Sequence, residues 1–331
     1  MTTLSPPAPV RRPTAVALGT FDGLHAGHRL VIHQAKTMAA EASAADGMPV
    51  PTVVSFWPHP REVLYGETRL RLDLPEEKLD LLDSLGIEQL VLLPFTPELA
   101  ALPPDRFVAE VLVQELAASC VAVGENFRFG VNRSGDAEAL RSLGHQHGIQ
   151  VAVVPTLHDA GARVSSSRIR RALAEGRMSE AEALLGRPYR FEGCVNSGRG
   201  LGRQLGWPTA NLQVSGRKFL PAEGVYAALA WTPTLAGRSP LAAVMNLGRQ
   251  PTVDPDAPSA VEVHLLDHEE DLVGQRLVVQ PVFWLRGQRR FANLEDLSQQ
   301  IGCDVAQTRE RLASSRKLAV PLLEQPLPPE S

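Results

Sequence analysis

Apolar residues in the first half of the chain come in short runs separated by longer amphipathic stretches. The runs are rich in Val, Leu and Ile and lie at 14–18, 51–56, 89–93, 119–123 and 149–154. Between them, Ala, Leu and Glu recur at helical spacing at 28–45, 75–85, 104–117, 136–147 and 167–175. Strands alternating with helices form right-handed βαβ units around a parallel sheet, whose strands are buried on both faces. We therefore predict an α/β domain over 13–186, with helices on both faces of a parallel sheet and ligands beyond the carboxyl ends of its strands.

The pattern changes after Gly186. Apolar runs now follow one another with Gly, Pro and Asn between them, at 189–195, 224–231, 241–247, 261–266 and 276–285. Closely spaced strands of this kind are typical of an antiparallel sheet or small barrel. From about 293 to 317 the apolar spacing is helical again. We predict an antiparallel β-barrel domain over 187–325 with a C-terminal helix, and a disordered Pro-rich arm at 1–12.

Composition narrows the class of protein. The 331 residues are 44% hydrophobic and 21% charged, which suits an ordinary globular protein of two domains. The formal net charge of −4 argues against a nucleic-acid-coating or polybasic membrane protein. No apolar run approaches the ~18 residues that span a bilayer. The three cysteines are scattered and support neither a disulfide framework nor a zinc cluster. We expect a cytoplasmic enzyme that binds neither nucleic acid nor membranes.

The first candidate site directly follows the first strand, where residues 19–28 read GTFDGLHAGH. His25 and His28 are three residues apart, so they share one face if a helix begins near them. Gly27 removes a side chain where a ligand approaches the backbone. A helix N-terminus attracts anions, and imidazoles there donate hydrogen bonds to phosphates and to charge that develops at phosphorus.

Three further strings follow predicted strands, so one crevice can collect them: FWPHP at 56–60, VGENFRFG at 123–130 and VSSSRIR at 164–170. The hydroxyls of Ser165–Ser167 cap a helix, and Arg168 and Arg170 add positive charge. Two prolines hold His59 extended; it either lines a ligand pocket or has no role. Arg128 is either a ligand contact or an ion-pair partner.

A second candidate site opens the barrel domain, where residues 193–212 read GCVNSGRGLGRQLGWPTANL. Glycines and arginines in a loop bring bare N–H groups and positive charge against phosphates. Thr209 and Asn211 are two apart, so in an extended segment they face one way and offer oxygen ligands that suit Mg²⁺. Further on, VEVHL at 261–265 alternates, which places Glu262 and His264 on one face.

Together these strings resemble the bacterial bifunctional riboflavin kinase/FAD synthetases over residues 14–315, with GVYA at 224–227 and NLGRQPT at 246–252 also matching. The resemblance implies a Rossmann-like nucleotidylyltransferase domain followed by a riboflavin kinase barrel. It implies that riboflavin is phosphorylated to FMN and that FMN is then adenylylated to FAD, with ATP, riboflavin and FMN as partners. Mg²⁺ accompanies ATP, and FMN and FAD are substrate and product rather than prosthetic groups. The protein is expected to be a monomer or weak homo-oligomer.

The resemblance also assigns roles to individual residues. The catalytic residues are His25, His28 and Glu262, with Glu262 as the general base of the kinase. Thr209 and Asn211 are the Mg²⁺ ligands. The nucleotide- and flavin-binding residues are Gly19, Phe21, Asp22, Gly27, His59, Asn126, Ser165, Ser166, Ser167, Arg168, Arg170, Gly198, Gly202, Arg203 and Asn246.

The chain departs from the family pattern at two positions, and three alternatives to the main interpretation stay open. Ser167 stands where the family usually has Thr, which keeps the hydroxyl. Gln250 stands where the family commonly has Arg, so a first alternative is an FMN adenylyltransferase with a weakened kinase. A second is a flavin-binding regulator without turnover, and a third is a nucleic-acid-related enzyme such as the tRNA-charging folds, which the acidic net charge disfavours.

Overall fold

The computed structural model describes residues 10–42, 47–197, 201–232, 240–248, 261–268 and 271–314. The chain divides into two compact units. Unit 1 consists of Met1–Arg69 and Pro75–Val164, and unit 2 consists of Leu70–Leu74 and Ser165–Ser331.

Unit 1 is built on a five-stranded sheet in the order β3-β2-β1-β4-β7, with all neighbouring strands parallel. Its strands are β1 (Thr14–Leu18), β2 (Val50–Trp57), β3 (Gln89–Pro94), β4 (Ala118–Gly124), β5 (Arg128–Phe129), β6 (Gly135–Asp136), β7 (Gln150–Val154), β8 (His158–Asp159) and β9 (Ala162–Arg163). Its helices are α1 (Ala26–Glu41), α2 (Pro60–Tyr65), α3 (Pro75–Ser84), α4 (Pro97–Ala101), α5 (Pro104–Arg106), a π-helical segment at Phe107–Glu115, a 3₁₀ turn at Val131–Arg133, and α6 (Ala137–Gln146). The predicted α/β class is confirmed.

The central strand β1 is buried on both sides, which explains why every residue after Thr14 is apolar. Val16 and Leu18 pack into one cluster with the π-helical segment, whereas Ala15 and Ala17 pack into another with α1. The strand order reverses between β1 and β4. In a sheet of this kind the crevice at the carboxyl ends of these two strands is the expected ligand site.

In the described part of unit 2, six antiparallel strands close a barrel in the order β10-β11-β14-β13-β12-β15. The strands are β10 (Phe191–Asn196), β11 (Ala210–Gln213), β12 (Gly224–Trp231), β13 (Leu241–Leu247), β14 (Val261–Leu265) and β15 (Arg276–Arg286). Its helices are α7 (Ser166–Ala174), α8 (Met178–Leu185), α9 (Leu201–Gln204) and α10 (Leu294–Ala313). The predicted barrel and C-terminal helix are confirmed; β11 and the short α9 had no counterpart in the apolar pattern.

The units do not follow the linear order of the chain. Helices α7 and α8 pack in unit 2, although the sequence pattern placed the domain junction near Gly186. The segment Leu70–Leu74 also belongs to unit 2. There Arg71 exchanges backbone hydrogen bonds with Arg217 and Phe219, each 2.7 Å long. The fully buried Lys218 donates from Nζ to the carbonyl of Leu72 at 2.7 Å, so this segment is built into the barrel unit by both backbone and side chain.

The predicted disordered arm is described only from Val10 onward. Arg11 donates from its backbone N–H to Oε1 of Gln89 at 2.8 Å. The last residues of the arm are therefore tied to the edge strand β3, and residues 1–9 lie outside the described part.

Candidate active sites

The first site begins in the loop between β1 and α1, whose backbone is tightly constrained. Phe21 and Leu24 adopt positive φ values of 42° and 38°, and Gly23 has φ 94°. Positive φ in a bulky residue costs energy and persists only where its surroundings impose it. Phe21 is buried, and its ring lies so close to Gly19 that a Cβ there would come within 3.2 Å. The loop therefore holds a fixed shape directly after the central strand.

His25 caps the helix that follows. It has extended φ and ψ of −66° and 170°, and its Nδ1 accepts from the backbone N–H of His28 at 3.3 Å. Because Nδ1 is the acceptor, the neutral ring carries its proton on Nε2. The His25 imidazole therefore accepts from one of the backbone N–H groups at the start of α1. From the sequence, these N–H groups were expected to be available to an anion.

The two predicted histidines lie together. Their rings stack with centroids 3.5 Å apart and planes inclined by 17°. Phe21 meets His28 edge-on at 5.3 Å. The expected shared face is therefore present, and His25 is itself buried.

His28 has an unusual electrostatic environment. Its Nδ1 is buried and has no hydrogen-bond partner among the described residues. Burial, followed by the neighbouring His25 imidazole and the charges of Lys78 and Arg163, lowers its pKa well below the ordinary value of 6.5. The imidazole is therefore neutral at pH 7. A binding anion would oppose these effects because it favours the protonated form.

The other predicted residues of unit 1 are placed as follows. Asp22 is buried in the loop after β1. A Cβ on Gly27 would lie 3.4 Å from the His25 ring, an ordinary contact. Asn126 follows β4, on the other side of the crevice, and donates from Nδ2 to Thr156 Oγ1 at 2.6 Å. Arg128 pairs with Asp136 at 3.3 Å, which agrees with the ion-pair alternative.

His59 has a clear structural role. It is the N-cap of α2, accepting the backbone N–H of Arg61 on Nδ1 at 3.1 Å, while its own N–H donates to Glu62 at 2.9 Å. This reciprocal cap fixes the position of the His59 side chain at the start of α2.

The serine–arginine string is described within unit 2. Ser165 is the N-cap of α7, as its hydroxyl predicted, and accepts from the Arg168 N–H at 3.3 Å. The guanidinium of Arg168 lies 3.6 Å from Glu180. Arg170 donates to the Leu70 carbonyl at 3.0 Å and lies over the Phe219 ring. Both arginines therefore have partners within the protein, and Ser166 and Ser167 occupy the first turn of the helix.

The second site is a cavity of about 920 Å³ in the barrel. It is lined by Gly202, Thr209, Asn211, Asn246 and Glu262, all of which the sequence analysis singled out. In the barrel ladder Glu262 is paired with Asn211 on one side and with Asn246 on the other. Directly paired residues point to the same face of a sheet. One carboxylate and two amides therefore stand in a row at one level of the barrel.

Hydrogen bonds organise this row. Asn246 donates from Nδ2 to Glu262 Oε2 at 3.4 Å. Gln288 donates from Nε2 to Asn246 Oδ1 and to the Leu247 carbonyl, both at 2.8 Å. Since Oδ1 of Asn246 is occupied by Gln288, its N–H₂ group faces the carboxylate. Gln288 is a residue that the sequence analysis missed.

The loop before β11 is closely packed. A Cβ on Gly202 would lie 2.3 Å from the Trp207 carbonyl oxygen and 3.1 Å from Thr209 Oγ1, so only glycine fits there. Arg203 is exposed on α9 and is not among the residues lining the cavity. Gly198 and Gln250, the second being the departure from the family pattern, lie outside the described residues.

An ion pair also lines the cavity and had no sequence signal. Arg286 of β15 makes hydrogen bonds of 2.7–3.1 Å to both oxygens of Asp304, which is buried on α10. Two residues eighteen positions apart on different elements carry no shared motif, so only the fold reveals the pair.

The fold and its two sites define a class: a two-part transferase with two stacked histidines at a helix start in an α/β unit and a carboxylate–amide row in a barrel cavity. Residues 8–168 match the family model of FAD synthetase, and residues 185–312 match that of riboflavin kinase. The chain belongs to the bifunctional riboflavin kinase/FMN adenylyltransferase family, and it is both a riboflavin kinase and an FAD synthetase. The predicted family, fold and pair of activities are confirmed.

The relatives cover nearly the whole chain. The bifunctional riboflavin kinase/FMN adenylyltransferase of Pseudomonas fluorescens is 38% identical over 308 residues, covering 93% of this chain and 96% of that protein. The protein of the same description from Escherichia coli K12 is 36% identical over 297 residues, covering 89% and 91%. A crystal structure described as a macrolide-efflux protein from Streptococcus pneumoniae superposes with a TM-score of 0.78 at 30% identity, covering 91% and 95%. Among the described residues, no helix is both long and apolar enough to cross a membrane.

Proposed function

We propose that the barrel cavity is where the γ-phosphoryl group of ATP passes to the 5′-hydroxyl of riboflavin. The observation that carries this proposal is the row formed by Asn211, Glu262 and Asn246 at one level of the cavity. A carboxylate supported by an amide donor suits a proton acceptor, and the neighbouring oxygen donors suit a cation that accompanies ATP.

Glu262 is the general base of this reaction. As the riboflavin 5′-oxygen attacks the γ-phosphorus, a new O–P bond forms and the bond between γ-phosphorus and the β–γ bridging oxygen breaks. ADP leaves, and the hydroxyl proton moves to the Glu262 carboxylate. Asn246 and Gln288 hold that carboxylate in place by the hydrogen bonds described above.

Thr209 and Asn211 hold the Mg²⁺ that enters with ATP. The residues present fit this ion: a hydroxyl and an amide carbonyl are hard oxygen ligands, both side chains line the cavity, and Mg²⁺ takes few protein ligands besides water and phosphate. When bound, Mg²⁺ offsets the negative charge of the phosphates. The chain's own task is to present these two oxygens beside Glu262.

Asn211→Ala should therefore lower riboflavin phosphorylation by at least tenfold, because it removes an oxygen ligand. Asn211→Asp keeps an oxygen at that position and should retain more kinase activity than Asn211→Ala. The adenylylation of added FMN by the same protein is the internal control and should change less than twofold. A kinase rate of Asn211→Ala equal to that of the wild type would remove this residue from the site.

We also propose that the helix start in unit 1 serves the second reaction. An oxygen of the FMN phosphate attacks the α-phosphorus of a second ATP, the α–β bridging P–O bond breaks, and FAD and pyrophosphate form. His25, with its proton on Nε2, and His28 donate hydrogen bonds to the phosphates. Gly19, Phe21, Asp22 and Gly27 shape the loop that positions them.

The remaining binding residues stay predictions. Ser165–Ser167, Arg168 and Arg170 are proposed to contact phosphate, and Asn126 and His59 a ligand. Gly198 and Arg203 are proposed for the phosphate loop of the kinase. The monomeric or weakly oligomeric state, the lack of nucleic-acid partners and a cytoplasmic location also stay predictions.

Incubation with riboflavin, ATP and Mg²⁺, followed by chromatographic separation of the flavins, tests the division of labour. FMN should appear first and FAD after it. Production of FAD from added FMN but no FMN from riboflavin would favour the weakened-kinase alternative associated with Gln250. Tight flavin binding without either product would favour the regulator.

A further inference from the structure

His264 lies in the kinase cavity, but the chemistry proposed above does not use it. It stands on β14 two residues after Glu262, so both side chains are on the same face of the strand. Both line the cavity, and His264 is half-buried. The chemistry proposed so far does not explain why a histidine lies next to Glu262 in this cavity.

The His264 ring is held by one short hydrogen bond. Its Nδ1 lies 2.7 Å from the backbone carbonyl oxygen of Pro208. A carbonyl oxygen only accepts, so Nδ1 carries the hydrogen and donates it. The contact joins residues 56 positions apart and ties β14 to the loop that immediately precedes Thr209.

The residues just before Ala210 depend on side-chain contacts of this kind, because they lie outside the hydrogen-bonded ladder of the barrel strands. Regular pairing in this segment begins only at Ala210. Pro208 has no N–H, so its carbonyl is its one backbone hydrogen-bonding group. The preceding residue, Trp207, donates from Nε1 to Ser298 Oγ at 3.0 Å. Its ring meets the His264 ring edge-on, with the ring centroids 5.6 Å apart. Thr209 is exposed between these anchors and the strand.

We propose that His264 is a positioning residue of the kinase: by donating from Nδ1 to the Pro208 carbonyl it holds Thr209 and Asn211 level with Glu262. This inference rests on the proposed role of Thr209 and Asn211 as cation ligands. This role requires no contact of His264 with ATP or with the transferred phosphoryl group. It sets where the loop's oxygen donors stand relative to the base.

Two variants of similar shape test the hydrogen bond. His264→Asn places an amide N–H₂ close to the position of Nδ1 and keeps the donor, whereas His264→Leu removes it. Because one hydrogen bond typically contributes about 1 kcal/mol, His264→Leu should raise the kinase KM for Mg²⁺·ATP about fivefold. The amide hydrogens of the segment 201–214 should also exchange faster with solvent in His264→Leu, measured by mass spectrometry. His264→Asn should stay within twofold of the wild type in both measurements.

Several results would overturn the proposal. One is a His264→Leu protein with unchanged KM, whether or not exchange is faster; another is a His264→Asn protein as impaired as His264→Leu. Adenylylation of added FMN reports whether the protein is folded and should not change. If His264→Leu does not fold, His264→Asp replaces it, since a carboxylate cannot donate; a wild-type KM in His264→Asp then overturns the proposal.

The exchange measurement separates this inference from the ligand assignment on which it rests. If Asn211→Ala leaves the kinase unaffected, Thr209 and Asn211 are not the ligands, and the proposed function fails at that point. Unchanged exchange in His264→Leu, by contrast, shows that the bond to Pro208 does not hold the loop, whatever Asn211→Ala does.

Discussion

Glu262→Gln is expected to slow riboflavin phosphorylation by about 10²–10⁴-fold, the usual cost of losing a general base. A glutamine side chain has the same shape but does not take up the proton of the attacking hydroxyl. The rate should be measured with riboflavin and Mg²⁺·ATP at saturating concentrations, so that the loss appears in kcat. Adenylylation of added FMN should stay within twofold, because it takes place in unit 1.

The surroundings of Glu262 make this substitution a clean test. Asn246 donates to one carboxylate oxygen, and the amide oxygen of glutamine accepts the same bond. Gln288 continues to hold Asn246 through its 2.8 Å hydrogen bond. The local structure is therefore retained while the proton acceptor is lost.

Glu192→Gln is the matched control. Glu192 also lies on a barrel strand, but it pairs with the half-exposed Arg276 and is not among the residues lining the cavity. This ion pair is partly exposed, and such pairs contribute little to stability, so this variant should keep kinase activity within twofold. Turnover by Glu262→Gln within tenfold of the wild type would argue against its role as the base.

Local sequence patterns predicted most elements of both units, because buried apolar positions recur with the period of a helix or a strand. The largely apolar β1 indicated a strand covered on both faces, and the structure places its alternate residues in two clusters. The strand β11 was missed because it has only four residues and follows Pro208. A strand that short carries too few positions to show a period.

The arrangement of the kinase residues was less accessible. Asn211, Asn246 and Glu262 are far apart along the chain, and only the barrel's strand order brings them to one level. The resemblance named these residues, but their pairing depends on register, which no single segment encodes. Gln288 and the Arg286–Asp304 pair lacked any motif for the same reason.

The spacing of His25 and His28 predicted a shared face, and their rings do stack. It did not predict that His25 is the cap itself. Capping by histidine is uncommon, since Ser, Thr, Asp and Asn lead at that position. His59 is likewise a helix cap that the sequence did not predict.

His28→Ala is expected to lower FAD formation from FMN by about 10²–10³-fold, the usual cost of removing one preorganised donor from a site of developing charge. FMN formation from riboflavin should stay within twofold. Both products should be quantified from the same protein preparation by chromatography. An equal loss of both would contradict the assignment of the histidine pair to adenylyl transfer.

A loss of FAD formation in His28→Ala would not be explained by a loss of protein stability. The buried Nδ1 of His28 has no partner among the described residues, and its pKa is lowered mainly by burial. Burying a polar atom without a hydrogen bond costs free energy, so the ring is placed here at the expense of stability. Removing it deletes packing against Phe21 and His25 but relieves that cost, and we expect little change in the thermal midpoint.

His33 supplies the control for the histidine pair. It lies on the same helix α1 but is exposed. His33→Ala should therefore form FAD at the wild-type rate, while His28→Ala does not. If both variants lost activity alike, the effect would belong to the helix as a whole and not to the stacked imidazoles at its start.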